Sequence, residues 1–95
     1  MFGHADWSHR GDYILEKHGV APDEANEALS DPECVVIDPD YNSTSGRSTR
    51  IIGFSQAVEG LVTVIVLEDE GVTYGVNAWR SNARDRQIYR EGELR

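Results

Sequence analysis

The chain has 95 residues, enough for a single domain (1–95) that buries roughly 60 to 70% of its unfolded surface without covalent staples. Its only cysteine, Cys34, excludes an internal disulfide, a thiolate zinc cluster and a redox pair, and fits a reducing compartment. The net charge of −8 argues against an extensive phosphate-binding surface, but the charge is uneven: Trp79 to Arg95 holds five arginines against three acids, leaving four bases against fourteen acids before it.

The stretch Met1 to Trp7 has charge and glycine where a secretory leader needs apolar residues, and the longest aliphatic run, Leu61 to Leu67, is too short to span a bilayer. A cytoplasmic chain without membrane association is expected. Asp12 is placed to cap a short helix over Tyr13–His18, with Gly19 at its left-handed end. A second helix starts at Ala21-Pro22, with Asp23 and Glu24 at its positive end and Ala25, Ala28 and Leu29 as its apolar stripe, and stops at Asp31-Pro32. Cys34 to Ile37 reads as a short apolar strand, followed by a mobile polar loop from Asp38 to Ser48.

Three further strands are expected to form a meander. Thr49 to Ser55 alternates Arg50, Ile52 and Phe54 against Ile51, Gly53 and Ser55; Leu61 to Glu68 is aliphatic on both faces, as a central strand requires; Val72 to Trp79 sets Val72, Tyr74, Val76 and Ala78 against the residues between them. The last element is a helix, with Asn82 and Asp85 in capping-box spacing and Gly92 as terminator. Having only Ala83, Ile88 and Tyr89 to bury, it must lie on the sheet surface with its arginines outward. The fold class is α+β: two short N-terminal helices, an antiparallel sheet of about four strands and a C-terminal helix.

Several patterns are explained without chemistry. Asp38, Asp40 and Asn42 have the spacing that opens a calcium loop, but Ser43 stands where glycine is needed and Thr49 where the bidentate glutamate belongs. Asn42-Ser43-Thr44 is a formal glycosylation sequon without a secretory route. His4 and His9 sit near a frayed N-terminus and lack companion ligands, so no metal and no cofactor is expected. His18 differs, lying at the edge of an apolar stripe at a helix C-terminus.

What remains is a set of cationic and proton-handling side chains: Lys17, His18, Arg50, Arg80, Arg84 and Arg86. Cleaving RNA without a metal needs a base for the 2′-hydroxyl, positive charge for the phosphoryl oxygens and an acid for the departing 5′-oxygen, which such groups supply if they converge on one phosphate.

The order of motifs resembles the BrnT-type ribonuclease toxins of bacterial type II toxin-antitoxin systems. It comprises Trp7, then Ile14-Leu15-Glu16-Lys17-His18-Gly19-Val20, Asp23-Glu24-Ala25, Glu27-Ala28-Leu29 and Asp31-Pro32. It continues in Arg50-Ile51-Ile52-Gly53-Phe54-Ser55, Leu61 to Leu67, and Ala78 to Tyr89 with Arg84-Asp85-Arg86. The resemblance covers nearly the whole chain. It implies a RelE-like fold, metal-independent cleavage of mRNA, and a cognate ribbon-helix-helix antitoxin through which DNA is contacted only indirectly. Carried onto this sequence, it implies a site of Lys17, His18, Arg50, Arg84 and Asp85. Arg50 and Arg84 are read as neutralising phosphate with Arg80 assisting, His18 or Asp85 as moving protons, and Trp79 and Arg86 as touching RNA. The chain departs from the family where Trp79 stands in place of an arginine, with Arg80 next, and in its acidic balance. Both departures suit a rival function, a non-catalytic protein-interaction module on the same scaffold.

Overall fold

The local signals close into seven elements: α1 (Gly11–His18), α2 (Pro22–Ser30), β1 (Val35–Ile37), β2 (Ser48–Ser55), β3 (Gly60–Asp69), β4 (Val72–Arg80) and α3 (Ala83–Glu91). They are seen in a computed structural model that describes residues 3–92; Glu93 and Arg95, counted in the C-terminal charge, lie outside the described residues. The architecture is α+β, with helices and strands in the expected order. No helix among the described residues is long and apolar enough to cross a membrane.

Helix α1 ends as its sequence dictates: Gly19 turns left-handed at φ 70°, and its N–H and that of Val20 return to the carbonyls of Leu15 and Ile14. Its start differs from expectation. The helix begins two residues earlier, after Arg10, and Asp12 sits inside the first turn, where its charge favours the dipole but caps nothing. Helix α2 opens with Pro22, and the Glu24 carboxylate accepts the Ala21 N–H at 2.9 Å.

The sheet order is β1-β2-β3-β4 with every neighbour antiparallel, so β1 joins the meander as a fourth strand. One face is covered by α1 and α2: Ile14, Val20, Ala25, Ala28 and Leu29 pack with Ile51, Val62, Val64, Val66, Ala78 and Trp7 in one core. At Gly53 a β-carbon would collide with the Ala28 carbonyl, so α2 lies against the bare backbone of β2. Strand β2 alternates as its sequence predicts. Strand β4 does not, because the register shifts between Ile65 and Val66: Ile65 pairs with Asn77 and Val66 with Gly75, leaving Val76 as a bulge. The faces swap there, so Gly75 joins Ala78 on the core side and the Trp7 ring takes the space a side chain would need.

The segment before α1 is tied down rather than frayed. Asp6 exchanges backbone hydrogen bonds with Thr73 and Gly75, both at 2.8 Å, and the Asn26 side-chain oxygen accepts the Ala5 N–H and the Trp7 indole N–H. On the opposite face of the sheet, Arg50, Ile52, Thr63 and Ile65 are buried near α3 and the segment leading into β2. Helix α3 points Arg84, Arg86 and Arg90 outward as predicted, but Ala83 is also exposed and the one fully buried side chain of the helix is Asp85. Asn82 caps the helix by accepting the Asp85 N–H at 2.9 Å. The reciprocal half of the box is missing because the Asp85 carboxylate turns into the protein.

Candidate functional site

Strand β2 carries Arg50 on the α3 side of the sheet, and it is 2% exposed. A buried guanidinium has to be paired. Its Nε donates to Asp40 at 2.6 Å, and its Nη1 donates to Asp85 at 2.6 Å and to the Tyr41 hydroxyl at 2.9 Å. Tyr41 in turn donates to Asp85 at 2.7 Å, and the Thr63 hydroxyl donates to Asp85 at 2.8 Å. With the Thr63 proton so committed, the 2.7 Å contact between Thr63 and Ser81 requires Ser81 to be the donor. No buried side-chain polar atom among the described residues lacks a partner. Burial opposes the charge on Arg50, but the bond to Asp40 and the field of Asp85 outweigh it and raise its pKa further. Burial, and then the Asp85 carboxylate that holds its proton, push the Tyr41 hydroxyl up.

This network corrects two roles expected from the sequence. Arg50 is closed off by two carboxylates and cannot meet a phosphate in this arrangement, and Asp85 is wholly buried with both oxygens accepting hydrogen bonds. Their pairing positions other groups. It also pins the start of the loop expected to be mobile, since Asp40 is buried and its N–H bonds to the Ser48 carbonyl at 2.8 Å. The calcium-like spacing of Asp38, Asp40 and Asn42 has the same explanation, because Asp40 is spent on Arg50. No group of three metal-binding side chains occurs among the described residues.

Outward from the network runs a chain of stacked rings and cations. The Arg50 guanidinium carbon is 4.1 Å from the Tyr41 ring centre and 5.4 Å from that of Trp79; Arg84 is also 4.1 Å from Tyr41. Tyr41 thus touches both a buried cation and an exposed one. Trp79 lies 6.0 Å from the His18 ring, His18 lies 6.1 Å edge-on to Tyr13, and Arg10 covers Tyr13 at 4.1 Å. The series Arg10, Tyr13, His18, Trp79, Arg50, Tyr41, Arg84 therefore joins α1, β4, β2 and α3 without a break.

Of the residues predicted for the site, His18, Trp79, Arg50, Arg84 and Asp85 are brought together. Arg80 is not: it pairs with Val62 and so faces the α1–α2 side, opposite Trp79, as the one-residue displacement implies. Lys17 is exposed. Arg86 is exposed and donates to the Ser81 carbonyl at 2.8 Å, beside the network rather than in it. Among the described residues only Arg50 has a carboxylate within 4.0 Å, so the charges of Arg10 and Arg84 are unneutralised. The sequence reading missed Tyr41, whose loop carried no periodic signal, and Arg10 with Tyr13, although their spacing of three along a helical turn was there to be read. Cavities of ≈ 310 and ≈ 380 Å³ lie beside α2, lined in part by Glu27 and Ser30 and by none of these residues.

No protein-family model matches the chain, and no curated protein matches it.

Proposed function

We propose that the chain is the toxin of a bacterial type II toxin-antitoxin pair, a cytoplasmic endoribonuclease that cleaves mRNA without a metal and is silenced by a ribbon-helix-helix antitoxin covering the same surface. DNA is reached only through the antitoxin. The observation that carries this reading is the contact series through His18, Trp79, Arg50, Tyr41 and Arg84, which brings a proton carrier, a base-stacking ring and a cation without a carboxylate partner among the described residues into one cluster. Imidazole is the usual proton carrier near neutral pH, so His18 takes the proton of the 2′-hydroxyl as its oxygen attacks the adjacent phosphorus. Arg84 neutralises the phosphoryl oxygens; the bond to the 5′-oxygen breaks and that oxygen takes a proton from solvent water, giving a cyclic phosphate and a free hydroxyl, while the resulting hydroxide is neutralised by the proton that His18 releases. Arg50 and Asp85 hold Tyr41, and through it Arg84, in place.

Induced expression in a bacterial host tests this. Growth arrest is expected, with relief of at least about tenfold in survival for His18→Ala and for Arg84→Ala, since removing one charge-stabilising donor costs about 10²–10³ in rate. The purified protein should cut RNA in the presence of a chelator. The rival reading, a non-catalytic interaction module, draws on the mutual neutralisation of Arg50 and Asp85, which leaves no buried acid free for the leaving group. It predicts normal growth and intact RNA.

A further inference from the structure

The ring-and-cation series extends past the groups needed for cleavage, and its far end on α1 has no role in that chemistry. Arg10 and Tyr13 lie one helical turn apart, the guanidinium over the ring at 4.1 Å, and Tyr13 is 38% exposed. Arg10 spends its Nε on the Val76 carbonyl at 3.1 Å, which fixes the side chain against β4 while its charge stays without a carboxylate among the described residues. At the other end Arg84 is exposed and similarly unpaired. Between them His18 and Trp79 are half-buried.

We infer that Arg10, just before α1, and Tyr13 on it, with His18, Trp79 and Arg84, form a track for a single-stranded polynucleotide that runs around the edge of β4. The inference rests on the RNA-acting reading and specifies the form of the substrate. Its ground is chemical. Rings that alternate with cations suit a strand whose unstacked bases lie on the rings while its phosphates meet the guanidiniums. A duplex hides its base faces in its own stack and offers only its grooves and backbone, so it cannot use Tyr13 or Trp79. The series also follows an edge of the sheet and lines neither of the cavities beside α2, and it offers no broad cationic face to a double helix. An exposed tyrosine held flat under an arginine is ordered before a ligand arrives, which lowers the entropic cost of stacking a base on it.

Intrinsic fluorescence reads the track directly, because Trp7 is buried in the core and Trp79 is the half-exposed indole. The whole chain is titrated with a 2′-O-methyl uridylate octamer, which cannot be cleaved through the 2′-oxygen, with a deoxyuridylate octamer, and with a 2′-O-methyl duplex of equal length. Saturable quenching by the single strand and at least tenfold weaker binding of the duplex are expected. Tyr13→Leu should weaken single-strand binding at least fivefold and Arg10→Gln severalfold, while Tyr13→Phe, which keeps the ring, should bind as the unaltered chain does. Equal binding of the deoxy strand also supports the track and locates recognition in bases and phosphates. Duplex binding as tight as single-strand binding, no binding of any octamer, or an unaffected Tyr13→Leu variant would overturn it. Cleavage is assayed separately: single-strand binding that depends on Tyr13 without cleavage keeps the track and removes the ribonuclease reading. Cleavage with unaltered binding by the Tyr13 and Arg10 variants does the reverse.

Discussion

Arg50 illustrates how burial decides what a charged residue can do. A guanidinium 2% exposed between two carboxylates is a structural part, and removing it strands Asp40 and Asp85 without their counter-charge. Breaking a buried pair in this way costs about 3–5 kcal/mol, a large share of the 5–15 kcal/mol that usually holds a domain together. Arg50→Ala should therefore shift the urea unfolding midpoint steeply downward, whereas Arg84→Ala, at an exposed position stacked on Tyr41, should lose no more than about 1 kcal/mol. Equal midpoints for the two variants would refute the assignment. Tyrosine ionisation offers a second check. Burial first, then the carboxylates that accept their protons, push the hydroxyls of Tyr41 and Tyr89 up. A folded pKa above the unfolded one means that the stability these groups contribute is complete below the ordinary tyrosine range and disappears as pH rises through the raised values. Tyrosinate absorbance should thus show a late alkaline rise that accompanies loss of structure, and Tyr41→Phe should diminish it.

At the scale of elements, turn geometry gives a stabilising prediction. The β3–β4 hairpin turns on Glu70 at φ 51° and Gly71 at φ 82°, a pair of left-handed positions that glycine and asparagine fill easily and glutamate does not. Glu70→Asn should relieve about 1 kcal/mol and raise the thermal midpoint by roughly 4–8 °C in a calorimetric scan. Helix and strand existence was legible because each rests on a local signal: Pro22 and Glu24 at the start of α2, Gly19 at the end of α1, two-sided aliphatic character in β3. What escaped was non-local. The bulge at Val76 arises from pairing with β3, and between Val72 and Trp79 only Gly75, a glycine inside a strand, hints at it. Asp85 has the spacing of a capping residue, and only distant donors, Arg50 35 positions earlier together with Tyr41 and Thr63, draw its carboxylate inward. The candidate site was legible as a set of residue types but not as roles, since burial separates Arg50 and Asp85 from Arg84.

For the molecule as a whole, the distribution of charge is what would let an acidic chain bind the proposed polynucleotide. The cations Arg10 and Arg84, without a carboxylate partner among the described residues, stand at the two ends of one aromatic series; Asp12 and Glu16 share α1 with Tyr13, but other acids stand apart, Glu27 on α2, Asp31 just after it, and Glu68, Asp69 and Glu70 at the hairpin tip. Few phosphates can be neutralised at once, so salt should weaken single-strand binding only gently, with a logarithmic slope of about −0.7 per phosphate contacted.

An open four-strand sheet has two margins at which a stray strand could dock. Here β1 is only three residues long and stands between Glu33 and Asp38, while Asp6 already occupies the outer rim of β4 at Tyr74. Neither margin presents the long, flat, uncharged template on which identical chains stack into fibrils, so crowding at high expression favours dispersed molecules over aggregates.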